Sequence, residues 1–275
     1  MKRLGVYVFG VASVAAGIMD LVWGEFDPDH QPLQAWGNNI PGVTIFAFIA
    51  AVWLIAAGVA IVMAKTAQIG APALTVLYGI FILFPLPRFY TAPHFLGYGI
   101  SVYIGVLGSV CQQIILAVAA LVIWKSPLAL GSLSPSSLSP RAALIARWTF
   151  GLSSVDFGLS HLTAVQTVVP MVPKWLPMGA PFWAVITGIA FVLAGLGIVF
   201  GVLDVLAARL LGWMLLVFSL LVLTPLIFAS PHDHAASGAN AYNLTAVGAA
   251  WIVADWLTAL RPAGSESAKR RAVEA

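Results

Sequence analysis

Charge is what this chain lacks most. Asp, Glu, Lys and Arg make up 8% of its 275 residues, whereas a water-soluble domain carries about 25%. No soluble surface can be clothed with so few ionic groups. Cysteine is nearly missing too: Cys111 stands alone, inside an apolar run. That leaves no disulfide framework, no Cys-x-x-Cys pair and no thiolate cluster for zinc or iron–sulfur binding. Among the histidines only His161 falls within an expected span, towards its outer end, so paired axial ligands for a membrane haem are not expected. There is no Gly-rich phosphate loop, nucleophile elbow or zinc-protease helix. The net charge of +3 is scattered over segment ends and forms no basic stripe, so no nucleic-acid partner is expected.

What is abundant is hydrocarbon: 61% of residues are hydrophobic and the mean hydropathy is +0.98. A helix needs about 20 apolar residues to cross the hydrocarbon layer. Eight segments qualify, near 4–24, 43–64, 71–87, 97–124, 147–169, 182–203, 210–228 and 241–260. The fold class expected is therefore all-α, a polytopic membrane helical bundle. The third segment opens with Pro72 and closes at Pro85 and Pro87, which leaves its ends least defined. Trp23, Trp53, Trp124, Trp148, Trp213 and Trp256 lie towards segment ends, as interfacial anchors do. With the N-terminus inside, all Lys and Arg except Arg88 and Lys174 fall on one face, among them Arg3, Lys65, Lys125, Arg141, Arg147, Arg209, Arg261 and Lys269. The asymmetry places both termini in the cytoplasm of a bacterial-type inner membrane. Lys2 and Arg3 before an apolar run also fit a secretory signal, but the same pattern recurs mid-chain.

That recurrence is a tandem repeat. Residues 9–21 read FGVASVAAGIMDL and residues 150–162 read FGLSSVDFGLSHL. Phe9/Phe150, Gly10/Gly151, Ser13/Ser154, Val14/Val155, Gly17/Gly158 and Leu21/Leu162 are identical. Ala57-Gly58 answers Ala194-Gly195, Pro85-Leu86 answers Pro225-Leu226, and Tyr103 answers Tyr242, all at a nearly constant offset. Each unit holds four spans, so both copies enter the membrane from the same side and form parallel repeats. The expected domains are a first four-helix repeat over 1–125, a Ser/Pro-rich cytoplasmic linker over 126–146, a second repeat over 147–260 and a polar tail over 261–275.

An ionisable group inside a membrane needs a reason. The repeat aligns Asp20 with His161, and pseudo-symmetry would bring this carboxylate and imidazole together to bind a polar head group or relay a proton. The plainer reading is that Asp20 reaches the outer interface and His161 makes a local hydrogen bond. On the fifth span, Thr149, Ser153, Asp156, Ser160, Thr163 and Thr167 share one helical face, which should look into the bundle or a wet cavity. Close packing by small residues explains the Ser and Thr but not Asp156. The equivalent first-span positions Val8, Ala12, Ala15, Met19, Val22 and Phe26 are apolar. Asp20, Asp156, Ser160, His161 and Thr163 are therefore the candidate intramembrane site. Gln112 and Gln113 should bond to neighbouring helices, and Asp204 with Arg209 reads as an exposed loop pair. Outside, His94, His232 and His234 form a candidate outer-face polar cluster, with His30, Glu25, Asp27, Asp29 and Asp233 nearby in sequence. His-x-His with carboxylates is weak evidence for a metal, and no metal site is expected.

The string WGEF at Trp23–Phe26 followed by Gln31-Pro32, together with SHL at Ser160–Leu162, VPKWLP at Val172–Pro177, FWAVITG at Phe182–Gly188 and LAARLLG at Leu206–Gly212, resembles the DoxX-like membrane proteins of the longer, tandem kind. The resemblance implies four-helix membrane bundles and, for some members, quinone-linked oxidation of sulfur compounds or oxidative-stress complexes. Relatives often carry His-Leu-Pro-Arg after the third helix. Here Pro87 and Arg88 are kept, with Pro85 in place of the His. The resemblance thus implies a redox accessory or quinone-interacting subunit with a redox partner protein. The residues themselves leave two alternatives, a permease for a small lipophilic solute and a non-catalytic membrane scaffold.

Overall fold

Inside a bilayer a chain must satisfy its own backbone hydrogen bonds, and a helix does so within one segment. The computed structural model describes residues 3–27, 41–134 and 136–261, which are helical with no strand among them. Lys2, Asp29, His30, Gln31-Pro32, Pro135 and the tail from 262 onward lie outside the described residues. In chain order the helices are α1 (Leu4–Trp23), α2 (Val43–Val62), α3 (Ala67–Phe81), α4 (Arg88–Leu96), α5 (Ile100–Lys125), α6 (Pro140–Thr163), α7 (Val165–Val168), α8 (Ala180–Phe200), α9 (Asp204–Phe218), α10 (Thr224–Ala229) and α11 (His234–Ala259). A π-helical turn at Ser219–Leu223 joins α9 to α10 as one rod. Pro225 lies just beyond that turn and has no N–H to give the helix ladder.

Five helices are long and apolar enough to cross a membrane: α1, α2, α5, α8 and the α9–α10 rod. The other three expected spans differ for physical reasons. Helix α3 has only 15 residues; its segment ends in turns at Ile82–Pro87 and then in α4, which the apolar pattern did not foretell. Helix α6 starts at Pro140, earlier than 147, because Ser139 Oγ accepts the Ala142 N–H at 3.3 Å and Pro140 suits the first turn. Helix α11 carries Ser237, Asn240, Asn243 and Asp255, yet it is enclosed by α1, α5 and α9, and Thr245–Leu257 is buried throughout. A helix whose neighbours are protein need not be apolar.

Close helix contact is set by glycine. A side chain at Gly10 would strike the Gly58 carbonyl and Val62, and one at Gly151 would strike the Gly195 carbonyl and Val199. From the opposite helices, Gly58 meets Val14 and Gly195 meets Val155. The α1–α2 and α6–α8 crossings therefore use corresponding residues. Helix α11 meets α1 in the same manner, Gly248 against Phe9 and Gly5 against the backbone of Gly248–Ile252.

Two expectations about the end carrying the basic groups change. Asp204 is buried and pairs with Arg147 at 2.9 Å and Arg261 at 2.6 Å, while Arg209 pairs with Asp255. The Asp204–Arg209 loop pair therefore does not form. Arg147 also donates to the Ile198 carbonyl at 2.5 Å and fills the space beside Gly201, whose φ of 75° ends α8. Trp256 is not an interfacial anchor but wholly buried, its indole N–H donating to Ser136 Oγ at 3.2 Å. The linker thereby docks on the bundle, with Leu128 and Ala129 buried and the Ser137 N–H donating to the Lys125 carbonyl at 2.6 Å.

Candidate functional site

Helix α1 stops at Gly24, a left-handed residue whose N–H returns to the Asp20 carbonyl at 3.0 Å. The chain then folds back, so that the Asp27 N–H donates to Asp20 Oδ1 at 3.0 Å. Helix α11 begins beside it, capped by Asp233, which accepts the Ala235 N–H. These two ends set His234 over Asp20. The imidazole Nε2 lies 3.5 Å from Asp20 Oδ1, its Nδ1 lies 3.4 Å from Glu25 Oε1, and its ring stacks on Trp23 at 4.9 Å and 7°. Burial rises inward along the three groups: the Glu25 side chain is 53% exposed, His234 5% and Asp20 1%. Asp20 Oδ2 has no hydrogen bond among the described residues. Asp27 is also buried, its carboxylate against Gly238. An imidazole between an exposed and a buried carboxylate can take up a proton at either nitrogen; at these distances Nε2 makes no hydrogen bond among the described residues.

The same fold-back turns Phe26 the other way, into a cavity of about 350 Å³ between α2 and α3. Its walls include Phe26, Val43, Ile49, Trp53, Leu77, Phe81 and Phe84, and no charged side chain. The one indole N–H among them, on Trp53, is spent on the Ala73 carbonyl at 3.1 Å. Phe26 packs edge-on against Phe81 and Phe84. Residues 25–27 thus join a polar relay to an apolar chamber of a size that takes small molecules, about 300–1,000 Å³.

A second polar group lies on the α5–α6 seam. Asp156 is 4% exposed, with the Cys111 thiol facing its carboxylate and Ser153. Gly108 leaves space over Asp156 and Ser160.

The candidate residues thus separate. Asp20 meets His234 and not His161, whose Nδ1–H donates to the Phe157 carbonyl at 2.8 Å while its ring packs on Phe191 and Phe218. Asp156 and Ser160 share the α5 seam. Thr163 is exposed and bonds back to the Leu159 carbonyl. His94 is exposed and bonded to the Tyr90 carbonyl, His232 is exposed, and His234 alone is buried. Among the described residues, no three His, Cys, Asp or Glu side chains converge as a metal site. Gln113 is fully buried with its amide unbonded among those residues, contrary to the expected helix contacts. Sequence reasoning missed Trp23, Cys111 and Gly108 as site neighbours. In the sequence Glu25 stands out only as one of the carboxylates near the outer histidines. No family model, curated protein or solved structure matches the chain.

Proposed function

We propose that the chain is a DoxX-like protein of eight spans, built as two like-oriented four-helix halves in a bacterial-type inner membrane, and that it serves as a quinone-interacting accessory subunit of a redox system. The repeat is supported by the matched glycine crossings, Gly10 on Gly58 and Gly151 on Gly195. The eighth span is supported by α11 running along α1, α5 and α9, which leaves it no path outside the bundle.

The observation that carries the ligand reading is the apolar cavity sharing residues 25–27 with the Glu25–His234–Asp20 file. A quinone supplies two-electron, two-proton redox chemistry when bound. The apolar cavity walls suit its isoprenoid carbons and offer no charge. His234 holds a proton between Glu25, which meets solvent, and Asp20, which does not. Electrons come from the redox partner protein, since the chain has no thiolate cluster of its own. A pure scaffold would leave the buried Asp20 oxygen unexplained.

Equilibrium binding of a decyl-substituted benzoquinone to the detergent-purified protein tests the reading. Saturable binding is expected, weakened by about tenfold in Ile49→Trp, which fills the cavity mouth, and in His234→Phe, which keeps the stack on Trp23 but removes both nitrogens. Absence of saturable binding, or wild-type affinity in both variants, contradicts it.

A further inference from the structure

The α5–α6 seam holds a carboxyl that the quinone reading does not use. Asp156 is 4% exposed, and apart from the facing Cys111 thiol neither carboxyl oxygen has a hydrogen-bond partner among the described residues. The Ser160 hydroxyl is buried and unbonded in the same way. Both groups lie over the missing side chain of Gly108, where an added methyl would stand 3.4 Å from Asp156 Oδ2 and 3.5 Å from Ser160 Oγ. Gly108 therefore leaves a small polar void between the first and second halves of the chain.

The chemistry of the surroundings selects what fills it. Helix α8, also packed on α6, has no titratable side chain, and His161 on α6 itself is turned onto Phe191 and Phe218. Cys111 is the titratable group facing Asp156 from α5. No described Lys, Arg or His pairs with Asp156. An uncompensated charge within a membrane is costly, so the carboxyl needs a proton or a bound cation. A hard cation such as Ca²⁺ or Mg²⁺ would need about six oxygen ligands and a zinc ion about four donors, whereas the gap offers one carboxyl, one free hydroxyl and a thiol, with Ser153 already bonded to the Thr149 carbonyl. A proton needs only the carboxyl.

Exposure along the polar face is graded. Ser153 and Asp156 are buried, Ser160 is half-buried and Thr163 is exposed, while Thr167 lies beyond the end of α6, in α7. Exposure thus rises from Asp156 towards the end of α6 remote from Arg147. We propose that Asp156 is an exchangeable proton site within the membrane, reached from the outer face past Ser160. The acid's O–H proton passes to water along this face and returns by the same route, leaving a carboxylate only transiently.

Dicyclohexylcarbodiimide, which reacts with protonated carboxyls in apolar surroundings, provides the test. Labelling of the full-length protein in right-side-out and everted membrane vesicles is read at Asp156 by peptide mass spectrometry, separately from Asp20 and Asp255. In right-side-out vesicles, raising the external pH from about 6 to about 9 should slow labelling by about tenfold, and in everted vesicles the same change should have little effect. Ser160→Val should slow labelling by about tenfold, and Ser160→Thr, which keeps the hydroxyl, should restore it. No label at Asp156, label insensitive to pH on both sides, label following the inner pH, or a Ser160→Val variant labelled like wild type overturns the proposal. Quinone binding is not needed for any of these readings.

Discussion

Arg147 illustrates how much one side chain ties together. It joins α6 to the end of α8 through the Ile198 carbonyl and to the start of α9 through Asp204. Its side chain is 23% exposed and that of Asp204 10%, so water competes only in part for these bonds. Arg147→Ala should therefore cost about 1–3 kcal/mol, read as a lowered midpoint in thermal unfolding of the detergent-purified protein. An unchanged midpoint would mean that Arg261 alone holds Asp204. At this scale the sequence was legible in identity and poor in pairing. Asp20 stands out because an ionic group amid hydrocarbon is conspicuous, and His234 as one of the histidines of the outer loops. Their partnership was hidden, since His234 lies at the far end of the chain and the repeat pointed to His161. Asp204 was misassigned for the converse reason: Arg209 is near in sequence, but helix geometry turns it towards Asp255.

At the scale of elements, the crossings rest on small residues. Gly10→Leu and Gly151→Leu should each force a pair of helices apart and destabilise by about 1–3 kcal/mol, the usual range for overpacking. Because the two sites face corresponding residues, Val62 with Gly58 and Val199 with Gly195, the losses in unfolding midpoint should be comparable. A large loss in one and none in the other would break the equivalence of the halves. Long apolar runs made α1, α2, α5 and α8 legible almost to their ends. The borders of α3 and α6 were not, because Pro and Arg near an interface serve equally as a helix start or as a loop. Helix α4 escaped notice since Pro87, Pro93 and Arg88 break the apolar pattern.

For the whole molecule, what the chain buries matters as much as what it shows to lipid. Helix α11 is the least exposed of the long helices, and its polar residues are shielded by α1, α5 and α9. Hydropathy along the sequence cannot distinguish a polar helix inside a bundle from one outside the membrane. This accounts for α11, and α3 falls short in length with 15 residues, so that five helices stand out by composition while the proposed repeat calls for eight. The two counts differ in one accessible consequence. Five crossings, an odd number, put the two ends of the chain on opposite faces; two quartets return the linker and the last helix to the starting side. Ser137, exposed in the linker, and Met178, 73% exposed in the loop before α8, can each be replaced by cysteine, with the native Cys111 buried. Labelling with a membrane-impermeant maleimide in sealed vesicles then decides. Ser137→Cys should react only in everted vesicles and Met178→Cys only in right-side-out ones, whereas reaction of Ser137→Cys from the outer face would contradict the two-quartet architecture.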